Sequence, residues 1–449
     1  MIVGTSIDRN SGRLFGTNGI RMSKPTKRNS VAPKKSFWKK LGPGLVSGAA
    51  DDDPSGIGTY SQAGASLGYG LLWTMWLTFP LMVAIQMISA RIGRVTGHGL
   101  AANIGKHTSR PLLYAIVALL FVANAINIGA DIAAMGAAAK LLVGGPALAY
   151  ALGLGALSLL LQVLIPFNSY APLLKFLALA LFAYVATVLF VKVPWGEVAY
   201  RSFVPDIRLN ASNLMMIVAV LGTTISPYLF FWQASHEVEE VNASRAEKAL
   251  KKDSTDAEPQ LERITLDTVT GMALSNIVAF FIMVTTAAVL HAKGVTDIQT
   301  SAQAAQALQP VAGKFAFALF AAGIIGTGML AVPVLAASSA YAAAETFGWP
   351  LGLQRRFPQA RGFYAVIAAG MLCGMALGFA PIDPVKALVW SAVINGVIAV
   401  PVMATVMHIA STRRAMGKFV IPLPLRIFGW LATATMALAV LALCWSWLH

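Results

Sequence analysis

The chain has 449 residues, of which 57% are hydrophobic and 12% are charged, and its mean hydropathy is +0.68. Soluble globular proteins carry about 25% charged residues, so this composition excludes that class and indicates a membrane protein with many spans. The net charge of +15 suggests loops that face anionic lipid, and only weakly suggests nucleic-acid binding. Cys373 and Cys444 lie in apolar segments and indicate neither a disulfide nor a zinc site.

The first 40 residues are polar and basic, and we expect a disordered cytoplasmic tail without a cleavable signal. Loops between the apolar segments alternate in charge, with 27 of the 34 Lys and Arg residues on the side of the N-terminus. The positive-inside rule therefore predicts a cytoplasmic N-terminus and an external C-terminus. The eleven apolar segments are 42–66, 71–90, 112–139, 145–165, 171–191, 213–235, 264–290, 314–346, 362–380, 384–410 and 426–448.

Three consecutive aspartates, Asp51, Asp52 and Asp53, interrupt the first apolar segment and run directly into Pro54. Ten uncharged residues precede them, which at about 1.5 Å per helical residue places the carboxylates about 15 Å deep, near the bilayer midplane. An ionised side chain at that depth costs at least about 2.5–3.5 kcal/mol, so such a residue usually binds a cation or lines a water-filled path. The alternative is a loop between two short helices.

The sixth apolar segment repeats this plan. Ten mostly apolar residues, 213–222, precede a polar stretch that ends in Ser226, Pro227 and Tyr228. Pro54 and Pro227 therefore predict helix breaks at the same depth, five segments apart. This pattern predicts an all-α protein of about 11 transmembrane helices with a 5+5 inverted repeat and its binding site between the broken helices 1 and 6. We expect a transporter core at 41–410 with repeats at 41–192 and 213–410, and an additional helix at 426–448.

These motifs resemble the NRAMP family of divalent-metal transporters, and the resemblance covers about residues 41–410. In that family the first broken helix carries Asp-Pro-Gly-Asn and the sixth carries Ala-x-Ile-Met-Pro-His. Aspartate, asparagine, methionine sulfur and backbone carbonyls together hold a transition metal there. The resemblance implies a leucine-transporter-type fold, with Asp53 as the metal-binding aspartate and Ala50 and Thr223 as carbonyl donors.

Three positions depart from the family pattern. Gly56 stands where the family has asparagine, Ser226 replaces the methionine, and Tyr228 replaces the histidine. The pattern resembles the divergent NRAMP-related magnesium transporters. Loss of the soft thioether leaves oxygen ligands, and the glycine opens space, which suits a partly hydrated Mg²⁺ but also admits Mn²⁺. We predict that Asp53 binds this transported ion, that Thr223 and Ser226 contact it or its waters, and that no resident cofactor is present.

The resemblance also implies a proton route, of which only Asp131 survives, because Ala134 and Tyr228 stand at the other two positions. We therefore predict transport without proton coupling, with Asp131 and Tyr228 as the remaining candidates for a relay. A 100 mV potential supplies about 4.6 kcal/mol for a divalent cation. Alternatively, Asp131 bonds to Asn124 or Asn127.

Three further residues have open roles. Asp51 and Asp52 either steer ions in an outer vestibule or bond to nearby backbone amides. Asn395 either lines the ion path or bonds to a neighbouring helix.

The leading functional prediction is a secondary transporter that imports Mg²⁺, Mn²⁺ or both by alternating access. The alternatives are a proton-coupled Mn²⁺/Fe²⁺ symporter of the same family and a sodium-coupled amino-acid symporter of the same fold. Three clustered aspartates would repel the carboxylate of an amino acid, which disfavours the last. No catalytic motif is present, so an enzyme is not expected. We expect a bacterial plasma-membrane location, contact with lipid and a metal-ion substrate, no nucleic acid and no obligate protein partner.

Overall fold

The computed structural model of this chain describes residues 43–165, 169, 176, 179–207, 210–243, 248–379 and 383–448. Within those residues all regular structure is helical. The predicted tail at 1–40 and much of the fifth apolar segment lie outside the described residues. The α-helices are α1 (Pro43–Asp51), α2 (Pro54–Leu67), α3 (Trp73–Thr96), α4 (Leu100–His107), α5 (Arg110–Val143), α6 (Ala147–Leu164), α7 (Phe182–Thr187), α8 (Trp195–Phe203), α9 (Ala211–Thr224), α10 (Pro227–Ala243), α11 (Ala257–Val289), α12 (Ser301–Gln306), α13 (Gln309–Ala312), α14 (Ala316–Phe347), α15 (Arg361–Leu377), α16 (Pro384–Ala410), α17 (Arg413–Met416) and α18 (Leu423–Leu448).

Eight helical stretches of the described chain are long and apolar enough to cross a membrane. They match predicted segments two, three, four, six, seven, eight, ten and eleven. Segment nine is the shorter apolar helix α15, and segment one is divided between α1 and α2, each of which is too short to span alone. The expected all-α, multi-pass architecture is therefore confirmed.

The central helices differ from the peripheral ones in how much of their surface other helices cover. The broken stretch Ala211–Ala243 is almost wholly buried, whereas most residues of α6 and α18 are not. A helix that is apolar all round faces either protein or lipid, so α6 and α18 are the helices that we expect to contact lipid. The C-terminal helix α18 packs against α3, α9 and α16.

Both broken helices are held by close packing against unbroken neighbours. The α1 half packs on α10 and α11, and the α2 half packs on α9, α11 and α16. Gly48 of α1 lies against the backbone of Gly271 in α11, and Gly222 of α9 lies against Ala392 in α16. Small residues at these contacts let helix backbones approach closely, which is the usual basis of helix association in a membrane. The breaks are thus fixed in place by their neighbours.

We expect the close approach of α3 and α10 to be sensitive to added volume. A Cβ at Gly93 would collide with the backbone of Ala234. Gly93→Ala should therefore destabilise the protein by about 1–3 kcal/mol through overpacking, measured as a lower melting temperature of the detergent-purified protein. Gly153→Ala on α6 is the control, because nothing lies within 4 Å of a Cβ there. Equal melting temperatures for the two variants would contradict this packing.

Candidate metal centre

The α1–α2 break is organised by the carboxylate of Asp53. Asp53 is the N-cap of α2, its Oδ1 accepts a 2.6 Å hydrogen bond from the Gly56 backbone N–H, and Pro54 is the first residue of the helix. Asparagine and aspartate are favoured at this position because the side chain accepts a bond from a free N–H group of the first turn. The positive end of the helix dipole also favours an anion there. The chain can therefore leave helical geometry inside the bundle at little cost.

The second oxygen of Asp53 faces two other helices. Its Oδ2 accepts hydrogen bonds from Asn127 Nδ2 of α5 at 3.2 Å and from the Tyr228 hydroxyl of α10 at 3.3 Å. The same hydroxyl lies 3.0 Å from the carbonyl oxygen of Ala50 in α1. A phenol has one proton, so Ala50 and Asp53 share a single donor. One tyrosine thereby joins both broken helices, and it places a carboxylate and a free helix-end carbonyl side by side.

The second break lies between α9 and α10, and Ser226 lies within it. The Ser226 hydroxyl lies 2.9 Å from the carbonyl oxygen of Gly222 and 2.8 Å from that of Thr223, at the C-terminal end of α9. Its proton is therefore used to satisfy carbonyls that the break leaves without a helical partner. Its oxygen lone pairs stay available to a cation or a water. Pro227 then begins α10.

Gly56 lies in close contact with both broken helices. A Cβ at this position would come within 3.2 Å of the Asp51 carbonyl oxygen and 3.3 Å of Thr223 Oγ1 and of the Tyr60 ring. A longer side chain would have to displace one of these atoms. The glycine therefore permits this close packing beside Asp53, at the position where the family pattern has asparagine.

Two residues that the sequence analysis did not place at the site support Asp53. Ser391 of α16 donates a 2.8 Å hydrogen bond to Asn127 Oδ1, and its oxygen lies 3.2 Å from that of Ser55. Hydrogen bonds thus connect Ser55 through Ser391 and Asn127 to Asp53, and all four residues are buried. Asn127 lies one helical turn before Asp131. This spacing is the only feature of the sequence that could have indicated that Asn127 lies at the site.

Asp131 has neither of the partners suggested above. It is fully buried, and neither carboxylate oxygen has a hydrogen-bond partner among the described residues. Asn124 instead donates to Leu335, Ser338 and Ser339 of α14, and Asn127 serves Asp53. That alternative is therefore wrong, because both amides are used by other helices.

Asp51 and Asp52 do not line an open vestibule. They are 1% and 6% exposed and lie against Ser275 of α11. The vestibule prediction is wrong for this structure, because Asp51, the last residue of α1, and Asp52, which follows it, both contact Ser275 in the interior of the protein. Asn395 is buried one turn beyond Ser391, and its Oδ1 has no hydrogen-bond partner in the described part of the chain.

The two ends of the bundle differ in how they are closed. At the end that carries Leu67, a cavity of about 300 Å³ opens between α2, α9 and α16, lined in part by Gln62, Ile298 and Lys386. At the opposite end, near Thr96, buried Glu237 pairs with Arg263 at 2.8 Å, and Arg94 lies 3.9 Å away.

Across the described residues, no group of three or more His, Cys, Asp and Glu side chains forms a metal cage. An ion at Asp53 would therefore depend on carbonyl, hydroxyl and water oxygens for the rest of its ligands. Such a ligand set favours hard cations.

Known proteins resemble the chain over nearly its whole length. Residues 44–446 match the family model described as natural resistance-associated macrophage protein-like, or Nramp. This chain belongs to the NRAMP family. It is 27% identical to the divalent metal cation transporter MntH of Pectobacterium carotovorum, covering 90% of this chain and 92% of the relative. It is 30% identical to MntH of Yersinia enterocolitica over 64% of this chain and 68% of the relative.

Solved structures show the same fold. The manganese transporter of Eremococcus coleocola matches this NRAMP protein with a TM-score of 0.69 at 20% identity, covering 91% of this chain and 87% of that one. The nucleobase-cation-symport transporter Mhp1 matches with a TM-score of 0.51 at 14% identity, covering 90% and 92%. These likenesses confirm the predicted leucine-transporter-type architecture. The named relatives are transporters, in agreement with the prediction that the chain is not an enzyme.

We expect Asn127 to orient Asp53 for ion binding. Asn127→Ala removes one of three donors to the carboxylate, and loss of a supporting group of this kind typically weakens metal affinity about 10–100-fold. The measurement is the Mn²⁺ concentration for half-maximal uptake into proteoliposomes. Asn124→Ala, one turn away on α5, is the matched control, because Asn124 bonds to α14 and not to Asp53. Equal effects in the two variants would mean that Asn127 acts only through stability.

Proposed function

We propose that this NRAMP protein imports hard divalent cations, Mg²⁺ and Mn²⁺, by alternating access without obligatory proton coupling. The observation that carries the proposal is the position of Asp53 at the junction of two broken helices, beside the Ala50 carbonyl and joined to it by Tyr228. A buried ionisable residue at such a junction in a transporter fold is the usual position of a substrate ion.

The ligand types favour a hard ion. Asp53 supplies the charge, Ala50 and Thr223 supply carbonyl oxygens, and Ser226 supplies a hydroxyl. Gly56 supplies no amide ligand, so waters would complete the ligand shell. Mg²⁺ gives up its waters reluctantly and is usually held by one or two carboxylates with several waters retained, which fits these few protein ligands.

The direction of transport is inferred from charge and access. We assign the Thr96 end to the cytoplasm, because the loops on that side carry most of the Lys and Arg residues. The cavity at the Leu67 end then faces outward and offers the entry route. The buried group of Arg94, Glu237 and Arg263 closes the inner end in this conformation.

The absence of proton coupling rests on two positions. Tyr228 occupies the place of the family histidine and uses its proton to bridge Ala50 and Asp53. Ala134 occupies the place of the family glutamate. The membrane potential alone adds about 4.6 kcal/mol for a divalent cation at 100 mV, which is sufficient to drive uptake.

A second candidate is proton-coupled Mn²⁺ transport. It is favoured by Asp131, whose carboxylate is buried one turn beyond Asn127, the donor to Asp53, and has no hydrogen-bond partner among the described residues. In that case each Mn²⁺ would enter together with a proton that is released inside, so the vesicle interior would become acidic. The same experiment separates the two candidates.

We expect purified protein in proteoliposomes to take up Mg²⁺ under an inside-negative potassium potential without acidifying the lumen. Asp53→Ala should abolish the flux, because it removes the only charged ligand of the proposed site. A Mg²⁺-sensitive dye and a pH dye are followed together, with Asn124→Ala as a folded control. Mn²⁺ flux with matching acidification and no Mg²⁺ flux would refute the proposal and establish the proton-coupled alternative.

We expect Ser226→Met to change ion preference. The thioether restores a soft ligand but removes the hydroxyl that bonds the Gly222 and Thr223 carbonyls. The ratio of Cd²⁺ to Mg²⁺ uptake should therefore rise at least about tenfold, in keeping with thiophilic selection. Ser226→Ala separates the two effects, since it removes the hydroxyl alone. An unchanged ratio in Ser226→Met would show that position 226 does not face the ion.

A further inference from the structure

We propose that a groove between the C-terminal part of α3 and the N-terminal part of α11 binds one phospholipid with an ethanolamine headgroup. The phosphate of this lipid contacts Arg91, and its ammonium group contacts Glu258 and Glu262. The groove takes no part in the Asp53 centre. The inference can therefore hold or fail independently of the proposed transport function.

The groove is a cavity of about 630 Å³ that is open to the surface of the protein. Cavities that bind ligands in proteins span about 300–1,000 Å³. Two of its lining residues, Leu261 and Val269 of α11, pack on a small hydrophobic cluster that is separate from the main core. Phe419, which precedes α18, lines the groove as well. The groove therefore offers an apolar surface outside the central bundle.

One face of α11 supplies most of the lining, and its polarity changes along the helix. The residues on this face are spaced three or four apart, and they are Ala257, Glu258, Leu261, Glu262, Thr265, Leu266 and Val269. The carboxylates lie in the first two turns, and the later turns carry apolar side chains and Thr265, whose hydroxyl is used by the Leu261 carbonyl. A phospholipid has the same order, because its charged headgroup is followed by apolar chains.

The direction of this gradient agrees with the position of the groove in the membrane. The start of α11 lies beside the end of α3, since Arg94 Nε donates a 2.8 Å hydrogen bond to Gln260 Oε1. The charged part of the groove therefore lies at the end of the bundle, and the apolar part lies deeper. A headgroup bound at the charged end would place its chains along α11, where Leu266, Leu274 and Ile277 are exposed.

Arg91 is the cationic residue of the groove, and the described protein leaves it unpaired. Its side chain is half-buried, and its Nε atom has no hydrogen-bond partner among the described residues. The ion pairs of the described chain include neither Arg91 nor the two glutamates, although all three line one cavity. A partly buried charge without a partner is unfavourable. A guanidinium group binds phosphate through two parallel N–H donors, so a lipid phosphate would satisfy it.

The charges around the groove select the headgroup. The lining carries one positive and two negative side chains, Arg91, Glu258 and Glu262. A lipid that brings only a phosphate, such as phosphatidylglycerol, would add a negative charge to a groove that is already acidic. An ethanolamine headgroup adds an ammonium group whose three N–H donors match carboxylate oxygens. A choline headgroup keeps the positive charge but has no N–H donor. The ethanolamine lipid therefore fits these three side chains best.

The test is native mass spectrometry of the full-length, detergent-purified chain with added phosphatidylethanolamine or phosphatidylglycerol of equal chain length. We expect one ethanolamine lipid to bind at least about tenfold more tightly than the glycerol lipid. Arg91→Gln should weaken binding of the ethanolamine lipid at least about tenfold, because it removes a hydrogen bond to a charged group. Arg110→Gln is the control, since Arg110 is an exposed arginine at the start of α5 that does not line the groove.

The double variant Glu258→Gln/Glu262→Gln separates recognition of the ammonium group from recognition of the phosphate. It should remove the preference, so that the two lipids bind alike. A purely structural role of the glutamates would weaken both lipids equally and leave the preference unchanged, which would contradict the assignment of the headgroup.

Three results with the wild type and Arg91→Gln would overturn the inference. They are no bound lipid, a glycerol lipid bound as tightly as the ethanolamine lipid or more tightly, and ethanolamine-lipid binding that Arg91→Gln leaves at the level of the control. If Arg91→Gln does not give a monodisperse protein, Val269→Trp replaces it, because it occupies the apolar part of the groove and leaves the charges in place. Lipid binding at the wild-type level in Val269→Trp would also overturn the inference.

Discussion

Broken backbone inside a membrane has to find its hydrogen bonds within the protein, and this constraint governs the centre of the structure. At the first break Asp53 accepts from the Gly56 N–H group, and at the second Ser226 donates to carbonyls at the end of α9. One break presents an anion at a helix N-terminus and the other presents a hydroxyl at a helix C-terminus. The side chains that satisfy the backbone hydrogen bonds at the breaks are therefore the same groups that can bind a cation.

Tyr228 connects the first helix break to the second broken helix. Its hydroxyl contacts Ala50 in one half of the protein and Asp53 at the break, while its own helix, α10, belongs to the other half. Any motion that separates α1 from α10 has to break this contact. The same residue thus couples the geometry of the ligands to the relative position of the two broken helices, which is what an alternating-access mechanism requires.

The three aspartates divide their roles by direction. Asp53 caps α2 and bonds to residues of α5 and α10, whereas Asp51, the last residue of α1, and Asp52, within the break, contact Ser275 of α11. The backbone leaves helical geometry between Asp51 and Asp53, so the three side chains reach different helices. Among the described residues, no group of three or more His, Cys, Asp and Glu side chains surrounds a single point.

The sequence alone determined the membrane class, the breaks around Pro54 and Pro227 and the candidate ligand Asp53, because hydropathy, proline and buried charge are local signals. The family resemblance supplied Ala50 and Thr223. Only the tertiary structure decided that Asn127 and Ser391 support Asp53, that Ser275 meets Asp51 and Asp52, and that Asn124 serves α14. Those contacts join residues far apart in the chain. Which helix faces which is set by packing of small residues such as Gly48 and Gly271, and uniformly apolar helices carry no periodic pattern that would reveal it.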